Sequence, residues 1–335
     1  MSILLVVQAG HDGTNRRDRQ LASFAGHTVL DFALQRLSGF TDGPLIVAVS
    51  DLPGDQQIED LARNNDAATV RGPSDDMLAR FVEVIADYPA EHLVRVTADS
   101  PFIDHHLVSE VVAQHLATGA DYTSNTLLRT HPAGLDVEVI RSDALLDAAE
   151  QATGPSERAG VSTFVQRRPA NYNLQAVLAP GDYEDYDWSV SDSDSLARLT
   201  SILSSAGNNA LIPWHDLVPH DKPVVNTDAL RLRVARDNIE SAIGALPDGI
   251  GHLPEPLPLT DAARRTWGVW AHDVLVGAVT VSVQNGWGTL AGRFAADLDG
   301  DLADAALNAV DDRLLADDQV LALTIDGSRI RQYRE

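Results

Sequence analysis

Cysteine is absent from all 335 residues. Its absence excludes disulfides and thiolate metal sites, so Asp, Glu, His, Arg and hydroxyl groups must carry any chemistry. Lysine is nearly absent as well. Lys222 is the single lysine among 25 cationic residues, set against 49 carboxylates, for a net charge of −24. A field of that sign repels phosphate backbones and anionic membrane faces, which makes nucleic acid and membranes poor partners. A lysine-poor, Asp-rich balance fits a salt-adapted cytoplasm, and high-GC codon usage, which replaces Lys by Arg, fits it equally. Long hydrophobic runs are also missing. The first apolar run, residues 3–7, is too short for a signal or membrane-spanning segment and passes straight into a polar loop. It reads as a buried strand of a cytoplasmic protein. No internal repeat or low-complexity tract is present, and the length suffices for two domains.

What the chain does have is a distinctive opening. The β-branched run leads into Gln8-Ala9-Gly10-His11-Asp12-Gly13-Thr14-Asn15-Arg16-Arg17-Asp18-Arg19, and residues 28–37 then carry apolar positions at helical spacing. A strand, a glycine-bearing loop and a helix place backbone N–H groups at the carboxyl edge of a parallel sheet, where phosphates bind. The arginines there point to an anion. Residues 45–49 read as a second strand, 50–55 as a turn, 56–64 as a helix and 68–71 as a third strand, so the sheet should be mostly parallel. Residues 92–97 form the best strand and run into Asp99. A carboxylate at the end of a central parallel strand faces the ligand crevice and can hold a Mg²⁺ that bridges phosphate oxygens. A turn before Pro101 is the other reading of Asp99. After Gly134, alternation puts Leu135, Val137 and Val139 on one face and Asp136 and Glu138 on the other. That polar face can meet a polyhydroxyl substrate, or be a plain solvated edge.

The opening residues resemble, position for position, the nucleotide-binding signature of the cytidylyltransferases that activate acidic sugars, especially the SpsF-like spore-coat polysaccharide synthesis proteins. That signature reads Gln-Ala-Arg-Met-Gly-Ser-Thr-Arg-Leu-Pro-Gly-Lys. Gln8, Ala9 and Thr14 are kept, whereas Gly10 and Asn15 stand for its two arginines and Arg19 for its lysine. The stretch Arg71-Gly72-Pro73-Ser74-Asp75-Asp76-Met77-Leu78-Ala79-Arg80-Phe81 is similar to the family's Arg-Gly-Ser-x-x-Asp-Val-Leu-x-Arg-Tyr, with Ser74 or Asp75 the expected helix cap. Thr97-Ala98-Asp99-Ser100-Pro101-Phe102-Ile103-Asp104 is similar to Thr-Gly-Asp-Cys-Pro-Leu-Ile-Asp. His131-Pro132-Ala133-Gly134-Leu135-Asp136-Val137-Glu138-Val139 looks like Tyr-Pro-x-Gly-Leu-Asp-Val-Glu-Val and is the most specific match. Where the family reads Arg-Glu-His-Val-Thr, Arg158 and Val161 persist, with Ala159 and Gly160 between them. The family's second metal-binding Asp falls on Ser191 in strict register. Its neighbour Asp192 substitutes only if the backbone bulges.

This resemblance spans residues 1–237 or so. It implies a Rossmann-like, GT-A-type α/β nucleotide-diphospho-sugar transferase fold and a Mg²⁺-dependent reaction of CTP with a sugar or sugar acid, releasing pyrophosphate, for surface glycans. It further implies catalytic roles for Arg16, Arg19 and Asp99, and nucleotide contacts from Gln8, Ala9, Gly10, Gly13, Thr14, Arg17, Arg71, Ser74, Arg80 and Thr97. Asn125, Gly134, Asp136, Glu138 and Arg158 would face the sugar, and Asp99 and Asp192 the metal. The changes at Gly10, Asn15, Arg19 and Ser191 sustain a second expectation: a catalytically silent relative that binds, regulates or scaffolds.

The expected domains are residues 1–240, a Pro/Gly-rich linker at 241–262 and a smaller α+β domain with an antiparallel sheet at 263–335. In that last part, strands are expected at 267–270, 274–283, 287–294 and 320–325, with a helix at 301–315. In element order alone these resemble the middle of the GCN5-related acetyltransferase fold. Asp297, Asp299 and Asp301 would repel the pyrophosphate such a fold grips, so a packing or assembly role is expected. Trp267, Trp270 and Trp287 either form a homodimer interface or are buried within their own domain.

Overall fold

A computed structural model describes residues 2–10, 16–127, 129–168, 171–181 and 183–223, together with the backbone of six strands between residues 231 and 332. The chain begins with β1 (Ile3–Gln8), a short helix α1 (Arg16–Gln20), a small hairpin of β2 (Ser23–Phe24) and β3 (His27–Thr28), and α2 (Val29–Leu37). There follow β4 (Leu45–Ser50), α3 (Gln56–Asn64), β5 (Ala68–Gly72), α4 (Met77–Asp87), β6 (His92–Thr97) and α5 (His105–Thr118). Then come β7 (Tyr122–Ser124), β8 (Glu138–Arg141), α6 (Ser142–Gln151), α7 (Pro155–Arg158), α8 (Thr163–Gln166), β9 (Leu174–Ala176) and α9 (Ser193–Ser205).

Seven strands form one sheet in the order β5-β4-β1-β6-β8-β7-β9. β5, β4, β1 and β6 are parallel, and β8 alone runs against its neighbours β6 and β7. β1 lies in the middle because it is apolar on both faces. Ile3, Leu5 and Val7 pack toward α2 and α5, while Leu4 and Val6 pack toward α4 and α6. Each such side chain removed from water contributes roughly 1.5–3 kcal/mol, which only a doubly covered strand can collect from consecutive residues. The result is a sheet between two helical layers.

Local chemistry sets the helix starts. The Thr28 hydroxyl accepts the Asp31 N–H at 3.1 Å and starts α2. At α4 the cap is Asp76, whose Oδ1 accepts the Ala79 N–H at 2.9 Å, and not Ser74 or Asp75. A cap side chain reaches the N–H two or three positions on, and Ser74 and Asp75 stand too far before Ala79. The strand expected from Gly134 begins at Glu138 instead, because Asn125 holds residues 135–137 by side-chain bonds described below.

Beyond residue 223, β10 (Arg231–Val234), β11 (Arg264–Ala271), β12 (Val274–Gln284), β13 (Trp287–Phe294), β14 (Ala322–Ile325) and β15 (Arg329–Gln332) form a second sheet in that order. All its pairs are antiparallel except β13 with β14. The expected helix at 301–315 and the three tryptophan side chains lie outside the described residues, as does the linker.

At the amino end of β6, opposite the crevice, His92 Nδ1 lies 3.0 Å from His115 Nε2, and His115 Nδ1 lies 2.8 Å from the Thr123 hydroxyl. Burial, then the nearby His92 and Arg141, lowers the His115 pKa to about 4. The unfolded chain therefore binds this proton more tightly than the folded one. Stability from this site is full above pH 6.5 and falls as pH drops toward 4, by roughly 2–3 kcal/mol. Urea unfolding at pH 7.5 and 4.5 should show that loss in the native protein and a correspondingly smaller pH dependence in His115→Asn.

Candidate active site

The chain leaves β1 for β4 on one side and returns through α4 to β6 on the other, so strand order reverses between β1 and β6. Loops leaving two such strands diverge and open a crevice at their carboxyl ends. Here the two ends are locked side by side. Gln8 pairs with Thr97, and the Ala98 N–H donates to the Gln8 carbonyl at 3.0 Å. The rim thus joins Gln8, Ala9 and Gly10 to Thr97, Ala98 and Asp99.

A polar brace runs beneath this rim on the face shared with α4 and α6. Arg95 donates through Nε to Gln8 Oε1 at 2.6 Å and through Nη1 to Glu138 Oε1 at 2.7 Å. The Ser162 hydroxyl donates to Glu138 Oε2 at 2.8 Å, and Gln166 Nε2 reaches both Ser162 and the Tyr122 hydroxyl. Burial opposes the Arg95 charge, and Glu138 more than offsets it, so its pKa is raised. Because guanidinium groups only donate, Gln8 must turn its oxygen to Arg95 and its amide nitrogen away.

Gly10 turns the chain at φ +89°, in the left-handed region that favours glycine. A Cβ there would overlap the carboxylate of Asp55, which is wholly buried and accepts the Ser50 N–H at 3.2 Å and the Ser50 hydroxyl. The Gly10 N–H itself donates to Gln20 Oε1 at 2.9 Å. Beneath the same bend, the fully buried Arg80 donates to the carbonyls of Ala9 at 3.1 Å and Pro73 at 3.0 Å. It ties the exits of β1 and β5 together.

Two arginines of α1 reach the mouth. Arg17 donates to the Gly54 carbonyl at 3.4 Å and pairs with Asp18 at 3.2 Å. Arg19 Nη1 crosses to the Ser191 carbonyl at 3.3 Å. The segment it meets is anchored to the opposite rim, since the Val190 N–H donates to the Asp99 carbonyl at 2.9 Å. Asp192 is exposed and caps α9, its Oδ1 accepting the Ser195 N–H at 2.8 Å. That backbone bond, then the Ser195 hydroxyl and more weakly Arg19, hold its carboxyl below the usual range. Asp99, Asp192 and Arg19 therefore gather at one mouth.

Residues 6–172 match the model of the MobA-like NTP transferase domain. Over that span the chain belongs to this family. The spore coat polysaccharide biosynthesis protein SpsF of Bacillus subtilis is 25% identical over 224 residues, covering 64% of this chain and 92% of that protein. An uncharacterised protein of Methanocaldococcus jannaschii is 27% identical over 186 residues, 55% of this chain and 74% of its own length. Among solved structures, a cytidylyltransferase from Leptospira borgpetersenii superposes with a TM-score of 0.62 at 21% identity, covering 65% of this chain and 93% of that one. This likeness establishes the α/β nucleotidyltransferase fold. The acetyltransferase-like reading of residues 263–335 has no support among these relatives.

Within the transferase domain, the residues expected at the nucleotide divide into two groups. Gln8, Ala9, Gly10, Arg17, Arg19, Arg80, Thr97 and Asp99 converge on the rim or directly beneath it. Gly13, Thr14 and the Arg16 side chain lie outside the described residues. Arg71 pairs with Glu59 at 2.6 Å and donates to the Ser50 and Leu52 carbonyls at 3.3 Å, which spends it on holding the β4 and β5 exits together. Ser74 lies between β5 and α4 in the Pro73–Asp76 turn.

The residues expected at the sugar are mostly committed to the protein itself. Asn125 is buried, donating to the Leu135 carbonyl at 2.7 Å and accepting the Val137 N–H at 2.9 Å. Asp136 is held by both Nη atoms of Arg129, at 2.7 and 3.0 Å. Arg158 pairs with Asp76 at 2.5 Å and donates to the Ala149 and Ala152 carbonyls. Gly134, at φ +85°, allows the backbone of Trp188 and Ser189 to come within van der Waals reach. Only Glu138 lies in the brace beneath the crevice, with Arg95 and Ser162 as partners.

Asp104, His105 and His106 bring three candidate ligand atoms together. Both Asp104 oxygens already accept backbone N–H groups, of His106 and Trp214, with Arg36 3.5 Å away, so this group is a helix cap. Asp55, Arg95 and Gln20 were not singled out from the sequence. Arg95 was findable, as a charge on the crevice face of an otherwise apolar strand.

Replacing Glu138 by Gln leaves Arg95 in a mostly buried site without its counter-charge. We expect a loss of about 2–4 kcal/mol, short of a fully buried pair because Arg95 keeps some solvent contact. Denaturant unfolding at neutral pH checks it, and a loss below 0.5 kcal/mol would dismiss the brace as an energetic element.

Proposed function

We propose that the chain is a nucleotidyltransferase that activates a sugar or sugar acid with CTP, releasing pyrophosphate, for surface glycan synthesis. The carrying observation is the locked pair of strand ends, with Asp99 on one rim and α1 on the other, bridged by Arg19 to the Ser191–Asp192 segment. The relatives, a spore coat polysaccharide biosynthesis protein and a cytidylyltransferase, support the substrate class.

In this reading, an oxygen of the sugar attacks the α-phosphorus of CTP and pyrophosphate leaves. The Gly10 bend seats the nucleotide against the ends of β1 and β6. Arg19 faces the phosphates, where a fixed cation stabilises charge that builds on the leaving group. Carboxylate oxygens are the hard donors Mg²⁺ prefers, so Asp99 is the residue to hold it, with Asp192 as partner. When bound, Mg²⁺ neutralises phosphate charge and aligns the phosphates for displacement. The reaction fits a cytoplasmic protein. No helix among the described residues is long and apolar enough to cross a membrane. The second sheet is read as an assembly module that pairs two copies.

A binding protein without turnover is the second reading. It rests on Asp55, a carboxylate filling the space in which a side chain at position 10 would start. The two readings separate in one assay. With CTP, Mg²⁺ and a panel of sugar acids, the enzyme reading expects pyrophosphate release that falls at least 100-fold in Asp99→Asn. Nucleotide binding with no pyrophosphate from any acceptor favours the silent relative.

A further inference from the structure

One carboxamide beside the Gly10 bend is used at only one end. Gln20 is fully buried, and the Gly10 N–H fixes which end is oxygen, since only Oε1 can accept it. The other end, Nε2, is buried without a hydrogen-bond partner. Buried donors are nearly always satisfied, and one left without a partner beside the Gly10 bend asks for an acceptor from outside. Two more stand on the same helix: Nε of Arg17 and Nε of Arg19 are also buried without partners. The Gly10 N–H is the backbone donor that the end of β1 would otherwise present to a ligand. Gln20 takes it and, across its own amide, returns a side-chain donor.

We infer that Gln20 is a specificity-determining residue of the crevice, its Oε1 holding the Gly10 bend and its Nε2 donating to an oxygen of the bound nucleotide. This rests on the nucleotide reading above. The shared chemistry is an oxygen acceptor, carried by both the phosphates and the base. Gln20 lies on α1, as do Arg17 and Arg19. Replacing the amide by a carboxylate keeps an acceptor for the Gly10 N–H but turns the free donor into a negative oxygen. Nucleotide phosphates and base carbonyls are repelled alike.

The test compares the full-length protein with Gln20→Glu and Gln20→Met by calorimetric titration with CTP and Mg²⁺, with cytidine and CMP as further arms. The expected result is CTP affinity at least tenfold weaker in Gln20→Glu. Loss shared by cytidine assigns the contact to the base, and loss confined to CTP and CMP assigns it to phosphate; either supports the inference. A second measurement does not depend on how the variants fold. The Gln20 side-chain amide signal of the ¹⁵N-labelled native protein, identified by its absence in Gln20→Met, should shift on saturation with CTP. An unmoved signal, or a Gln20→Glu affinity within twofold of native, overturns the inference. A flat titration of the native protein with CTP, UTP, ATP and GTP overturns the nucleotide reading first and this inference with it.

Discussion

The bond from the Ala98 N–H to the Gln8 carbonyl extends the β1–β6 pairing by one residue past the end of the strands. Everything at the rim is measured from that lock. It fixes Asp99 relative to the Gly10 bend, and two arginines, one buried and one partly buried, hold it from below. Arg80 takes the Ala9 and Pro73 carbonyls, and Arg95 takes Gln8 and Glu138. Guanidinium groups suit this work because they present several donors in one plane and keep their charge when buried. Strand ends held this way need no reorganisation when a ligand arrives.

The electrostatics of the crevice differ from those of the chain as a whole. A protein of net charge −24 places Arg17 and Arg19 together at one mouth, each only loosely engaged with backbone carbonyls. Charge on the strongly acidic remainder favours solubility, while the two guanidinium groups at the mouth can still meet an anion. Asp55 and Gln20 shape that rim without adding cations. One fills the space beneath Gly10 and the other converts its N–H into a side-chain donor.

Much of the fold was legible because it depends on periodicity. The doubly apolar β1 and the helical spacing of α2 announce a sheet covered by helices, whereas the alternation from Leu135 to Val139 overstated a strand that begins only at Glu138. The placement of Asp99 just past the end of β6 was legible because the apolar run stops there, while its role at a metal is a proposal. The protein partners of Asn125, Asp136 and Arg158 were illegible for one shared reason: a polar side chain in a motif says what residue is kept, not which partner it faces. Asp136 meets Arg129 and Arg158 meets Asp76 through backbone paths that no spacing encodes. Asp55 was illegible for the opposite reason. A lone acidic residue in a Pro-Gly turn looks like solvent-facing punctuation, and only the fold shows its carboxylate packed against a glycine 45 positions earlier.

In the proposed function, the rim formed by β1 and β6 receives a metal-bound nucleotide through the Asp99 carboxylate and the arginines of α1. Anomalous diffraction from crystals soaked with Mn²⁺ and CTP tests it most directly. The account predicts a single manganese peak within coordination distance of Asp99, with nucleotide phosphates between it and Arg19. Manganese bound elsewhere, or nucleotide density absent from this rim at saturating concentration, would contradict it.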